Sequence, residues 1–131
     1  FFSVSVQPTL GLDVPTGFID YHLSQAALSR QNPDNPKVAD RFEQFFHGLE
    51  LANGYHELLD VKELRRRNKL INGQREQDGQ PHLPLASYLD TAMQSGLPDC
   101  CGVALGFDRL VMPATGATDI AEVIAFPFDR A

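Results

Sequence analysis

A two-residue reversal, His47-Gly48, separates two apolar runs, Arg41-Phe42-Glu43-Gln44-Phe45-Phe46 and Leu49-Glu50-Leu51-Ala52-Asn53. A turn this tight predicts a β-hairpin with one register: Phe46 opposite Leu49, Phe45 opposite Glu50, and Glu43 opposite Ala52. Glu43 and Glu50 then become diagonal neighbours on one face, roughly 5–8 Å apart and close enough to share a cation. On a single uninterrupted strand the same two residues would point to opposite faces. Glu57 follows at the next equal interval. Asn53, Tyr55 and Glu57 have the wrong parity for the first face, and Gly54 is the expected place for a bulge that re-aims them. Carboxylates set among aromatic and aliphatic neighbours resist dehydration and call for a metal or an ammonium group.

The 131 residues suit one domain with a modest core. A net charge of −6 argues against free-standing nucleic-acid binding, which depends on neutralising phosphates. The cluster Lys62, Arg65, Arg66, Arg67 and Lys69 reads as a solvated helix face. No run approaches the ~20 apolar residues of a membrane helix, and the opening Phe1-Phe2-Ser3-Val4 has no basic flank of a signal peptide. No membrane association is expected. The chain opens on Phe1 rather than Met, so it is expected to be cut from a longer protein. Cys100 and Cys101 are adjacent, which is poor geometry for a mutual disulfide and too few ligands for zinc. They read as reduced thiols near a strand start, which gives a cytoplasmic localisation. The four histidines show no metal-ligand spacing and read as ordinary polar residues.

Along the chain, Gln7 to Thr16 predicts an irregular opening loop and Gly17 to His22 a short strand. Asn32-Pro33-Asp34-Asn35-Pro36 is a turn-rich connection. Asp60 predicts an N-cap for a helix from Val61 to about Gln77, with Val61, Leu64 and Ile71 along one side. A second helix is expected from Pro84, with Leu85, Leu89 and Ala92 inward, ending at Gly96. Cys101 to Gly106 predicts a strand, Phe107 onward a short helix, and Ala121 to Phe126 a closing strand. The fold class is α+β, a mostly antiparallel sheet flanked by helices.

Gly102-Val103-Ala104-Leu105-Gly106 leaves one strand face bare, which lets something flat lie against its backbone. Arg109, on the element that follows, could then reach an anion on that object with its planar fork of donors. Close strand–helix packing, with Arg109 paired to a neighbouring carboxylate, is the competing reading. Acids able to hold a metal, a bare strand and an arginine together describe a cradle for a nucleoside triphosphate.

Gly102-Val103-Ala104-Leu105-Gly106-Phe107-Asp108-Arg109-Leu110-Val111-Met112 resembles motif 3 of class II aminoacyl-tRNA synthetases. Phe42-Glu43 and Glu50-Leu51-Ala52-Asn53-Gly54-Tyr55-His56-Glu57-Leu58 resemble the matching segment of lysyl-tRNA synthetases, and Glu122 to Pro127 fits that subclass. Gly96-Leu97-Pro98-Asp99-Cys100 and the ending Asp129-Arg130-Ala131 are similar to the truncated lysyl-tRNA synthetase paralogues that modify elongation factor P. The likeness covers the chain from about Phe18 onward. It implies that residues 1–131 are the C-terminal part of a class II catalytic domain, with motif 3 present and motifs 1 and 2 absent, and that the parent protein is a homodimer.

The resemblance also implies roles. Glu43 and Glu50 would hold Mg2+ on the phosphates of ATP, with Glu50, Leu51, Gly106 and Arg109 forming the ATP site. Arg109 would be catalytic, at the γ-phosphate end. Asn53, Tyr55 and Ala104 would shape the amino-acid site, and Glu57 would take the side-chain ammonium of a lysine-type substrate. The implied reaction activates a lysine-type amino acid, β-lysine in this group, as an adenylate. The acyl group then passes to a lysine of elongation factor P, and tRNA is not the expected acceptor. The fragment alone is expected to be inactive. Ala104 stands where lysyl-tRNA synthetases carry glycine, and its methyl suits a displaced amino group. Pro113 cannot donate to the Arg109 carbonyl, so the motif 3 helix is expected to be short or kinked. A fragment of a genuine lysyl-tRNA synthetase and a non-catalytic nucleotide- or amino-acid-binding module are the alternatives.

Overall fold

The computed structural model describes residues 2–85 and 87–130, without the side chain of Asp129. Ala131, part of the C-terminal triplet in the resemblance, lies outside the described residues. Four strands form one antiparallel sheet in the order β1-β2-β3-β4: Thr16–His22, Val38–Phe46, Leu49–His56 and Cys101–Leu105. The helices are α1 (Val61–Gln77), α2 (Tyr88–Gln94) and α3 (Phe107–Thr115). The architecture is the expected α+β fold. The chain divides into two compact units. One takes the segments up to Tyr21, Arg41–Gly54 and from Val103 onward; the other takes His22–Asp40 and Tyr55–Gly102.

In the first unit, the hairpin turns at His47-Gly48 as expected. Both residues have positive φ (48° and 71°), the signature of a type I′ turn whose twist matches the flanking strands. Gly48 is required there, because a Cβ would also approach the Pro8 backbone to 3.2 Å. The turn is clamped from outside. The His47 N–H donates to the Gly11 carbonyl at 2.8 Å and the Gly48 N–H to Leu10 at 2.9 Å. Beneath it lies an aromatic cluster. Phe45 is fully buried, and the Phe2 ring packs on Phe18, Tyr21 and Phe45 at 4.9, 6.3 and 6.1 Å. Burial of a side chain such as Phe45 contributes about 1.5–3 kcal/mol.

In the second unit, the core is Leu58, Leu64 and Met93, flanked by Leu28 and Val61. Asp60 caps α1 as expected, accepting from the N–H groups of Lys62 (2.8 Å) and Glu63 (3.3 Å). The Asn32 side chain organises the proline-rich connection by accepting from Asp34 and Asn35 N–H, both at 2.9 Å. The basic face of α1 is largely self-paired: Arg66 and Arg67 bind Glu63, and Arg65 meets Asp90 at 3.5 Å. Arg67 also donates to the carbonyls of Ala27 and Ser29.

Four local expectations are corrected. Ala121 to Phe126 is not a strand: an Asp119–Glu122 capping box winds Ile120–Glu122 into a 3-10 turn, and irregular chain follows. The second helix starts at Tyr88, not Pro84. The Ser87 hydroxyl caps Asp90 N–H, while reciprocal bonds tie the Leu83 backbone to the Asn72 side chain. With that start, α2 buries Asp90 and Met93, and Leu85, Leu89 and Ala92 are exposed. Along α1, Asn72 is buried where Ile71 was expected, because Asn72 holds Leu83 in both directions. Helix α3 spans nine residues with Pro113 inside and ends on Gly116 in the left-handed conformation. Both cysteines are free thiols at the start of β4.

Candidate functional site

Glu43 lies on the inward face of β2 with Ala39 and Phe45, and it is buried. A bare carboxylate could not stay there without partners. The Arg41 guanidinium, two residues away on the same face, makes a short ion pair with Oε1, and Asn53 Nδ2 donates to the same oxygen at 3.1 Å. Arg41 in turn stacks on the Tyr21 ring, 4.4 Å from its centroid. Tyr21 reaches this position because Asp20 has a φ of +58°, which interrupts the alternation of β1. Phe18 and Tyr21, three residues apart, thereby face each other at 5.0 Å. The Tyr21 hydroxyl is buried without a well-formed hydrogen bond. Burial first, then the Glu43 carboxylate and more weakly Glu50, hold its pKa above the usual phenol range.

Asn53 also joins that face, although a regular ladder would turn it away. Leu51 and Ala52 are both buried, so β3 is covered on both faces at that point. The Asn53 Oδ1 is buried and has no partner.

Arg109 is the third residue of α3, whose N-cap is Gly106. Its Nη1 donates to the Glu50 carbonyl at 3.0 Å, and its methylene stem lies 3.4–3.6 Å from where a Gly106 Cβ would sit. The Gly106 N–H donates to the Leu51 carbonyl at 2.8 Å, which fixes the start of α3 against β3. Glu43, Glu50, Leu51, Asn53, Gly106 and Arg109 are thus all in the first unit, as is Ala104 on the exposed strand β4. Tyr55 and Glu57 are in the second.

Glu57 has a different setting. Its N–H donates to the Cys100 carbonyl at 3.0 Å, and it bridges to Ser29, which is fully buried. Its carboxylate rests over Gly102, so that a Cβ on Gly102 would come within 2.6 Å of Oε1. The missing side chain at Gly102 is the space this carboxylate occupies.

Two donor sets follow. Among the described residues no three His, Cys, Asp or Glu side chains converge as a closed metal cage. Glu43 Oε1 is already engaged by Arg41 and Asn53, and the buried, unpartnered Asn53 Oδ1 next to it is an oxygen donor of the kind Mg2+ takes. The sequence reading missed Arg41 and Tyr21 around Glu43; the i, i+2 spacing of Arg41 and Glu43 was the available signal. It also missed His56, which engages Arg30 and Asp99 beside Glu57.

Residues 12–130 match the tRNA synthetases class II (D, K and N). The chain belongs to this family. Among curated relatives, the elongation factor P–(R)-β-lysine ligase of Klebsiella pneumoniae strain 342 is 48% identical over 130 residues, 99% of this chain and 40% of that protein. The ligase of the same name from Vibrio parahaemolyticus is 50% identical over 127 residues, 97% of this chain and 39% of the relative. That of Salmonella arizonae is 46% identical over 130 residues. The chain spans about 40% of the length of the curated relatives it matches. Among the described residues no helix is long and apolar enough to cross a membrane.

Proposed function

We propose that this chain is the C-terminal part of an ATP-dependent ligase that activates a lysine-type amino acid, β-lysine foremost, and transfers it to a lysine of elongation factor P. The observation that carries the proposal is the Glu57 carboxylate seated over Gly102, a cradle that any side chain at that position would fill. A carboxylate held in place by its own backbone, with no ion pair to a cationic side chain among the described residues, is suited to a substrate ammonium. The names of the relatives point to the same acceptor and amino acid.

In this reading the substrate carboxylate attacks the α-phosphate of ATP, forming the acyl–phosphate bond as pyrophosphate leaves. The acceptor amine then attacks the acyl carbon, forming an amide and releasing AMP. Arg109 grips the terminal phosphate and steadies its charge. Asn53 orients the α-substituents, and Tyr55 and Ala104 are assigned to the amino acid. Glu43 and Glu50 would hold Mg2+, which when bound neutralises phosphate charge; Leu51 and Gly106 line the nucleotide. Most of the acceleration comes from positioning. The parent protein is expected to act as a homodimer in the cytoplasm.

The test is acylation of elongation factor P by the full-length protein, with α- and β-lysine in competition. Glu57→Gln should raise KM for the amino acid about 10–100-fold, the range for a lost charge-assisted bond, with KM for ATP nearly unchanged. Equal loss for both substrates would refute the role.

A further inference from the structure

Glu57 is tied to its neighbours twice. The first tie is main chain: Ser29 bridges Glu57, and Glu57 N–H reaches the Cys100 carbonyl. The second lies one residue away in each segment and is made of side chains. Arg30 Nη2 meets His56 Nδ1 at 2.7 Å, His56 Nε2 meets Asp99 Oδ1 at 2.5 Å, and Arg30 Nη1 closes on Asp99 at 3.3 Å. Arg30 is itself held by the His56 carbonyl through its own N–H at 2.8 Å, and its Nε faces Asp40 at 3.7 Å.

Arginine has only donors, so His56 Nδ1 must accept. The proton is then on Nε2, which donates to Asp99. The three side chains fix one another's orientation and leave the ring a single tautomer. Asp99 is mostly solvent-exposed, yet the His56 hydrogen bond holds its carboxyl below the usual range. So much directed bonding on an exposed acid is not needed to bury a core. Asp99 and Cys100 lead directly into Gly102, the seat of the Glu57 carboxylate.

We propose that the Arg30–His56–Asp99 ring of side chains is a positioning device that sets where the Glu57 carboxylate stands over Gly102, and hence the fit of a substrate ammonium. His56 and Asp99 are positioning residues that act through Glu57. The inference rests on the reading of Glu57 as the ammonium partner.

The test uses the full-length protein and steady-state kinetics with β-lysine and ATP varied separately. Asp99→Ala should raise KM for β-lysine about tenfold, as outer residues that orient a ligating side chain do, with kcat and KM for ATP within about twofold. Asp99→Asn keeps an acceptor for His56 Nε2–H and should recover most of the loss. Asp99→Ala combined with Glu57→Gln should be no worse for β-lysine than Glu57→Gln alone, since one residue acts through the other. An unchanged KM for β-lysine in Asp99→Ala, or losses that multiply in the double variant, would overturn the proposal. If Glu57→Gln alone leaves that KM unchanged, the ammonium reading itself falls, and this inference with it. His56→Gln is a second route to the same outcomes should Asp99→Ala fold poorly.

Discussion

The two units handle an acidic side chain in opposite ways. In the first, Glu43 is buried, and the chain supplies its counter-charge from Arg41 and a further donor from Asn53. In the second, Glu57 is anchored through its backbone, and its carboxylate is given room by a glycine. The contrast follows from the cost of dehydrating charge. A buried carboxylate must be compensated whether or not a ligand is present, whereas a half-exposed one can wait in water. Arg41 therefore does for Glu43, in the free protein, part of what a metal ion would do.

The strongest way to break this comparison is Glu43→Gln. It leaves the Arg41 guanidinium with a neutral acceptor in a buried place, and should lower stability by about 1–3 kcal/mol. If the acid also serves the phosphate site, kcat should fall about 100-fold or more, the scale on which single charge-stabilising groups act. Thermal denaturation and acylation kinetics read the two effects separately. Loss of stability with normal kcat would make Glu43 a structural acid only.

Gly102→Ala should give the reverse pattern. The new methyl would displace the far end of a flexible side chain rather than any backbone, so the melting temperature should barely move. The Glu57 carboxylate must shift, however, and KM for the lysine-type substrate should rise about tenfold, since displacements near 1 Å can be that costly. A large loss of stability without a change in KM would show that Gly102 is there for packing.

The smallest effect sharpens the comparison with an acid that has no proposed part in the chemistry. Glu63 on α1 is held down to about 2 from 4.5, first by the hydrogen bond from Arg66 and then, against some burial, by Arg67. A depressed folded pKa contributes stability above the unfolded value and loses it as pH falls through the folded one. Unfolding between pH 4.5 and about 2 should therefore show a dependence that Glu63→Gln reduces, with activity at neutral pH untouched. An identical acid limb in the variant would show that the Arg66 and Arg67 bonds are too solvated to matter.

Much of this was legible in the residues because it is local. The reversal at His47-Gly48, the Asp60 cap and the Asn32 turn each follow from a few adjacent side chains competing for backbone groups. The hairpin itself follows from the same reversal. What escaped depends on partners distant in sequence. Pro84 is a good helix opener in isolation, but Asn72 ties down the Leu83 backbone, and Ser87 then offers the better cap. Ala121 to Phe126 has strand-like composition, but Asp119 and Glu122 close a box that winds the chain first. His56 read as an ordinary polar residue because Arg30 and Asp99, which give it meaning, stand 26 and 43 positions away.

The type I′ turn carries a final consequence for how sequences like this one can vary. Deleting or inserting a single residue there would rotate every later position of the hairpin to the other side of the sheet. Neither strand would lose its character, yet Glu50 would change face relative to Glu43. Length changes at this corner should therefore be tolerated only in steps that preserve parity, which makes loop length, rather than the identity of the loop residues, the quantity to watch in variants.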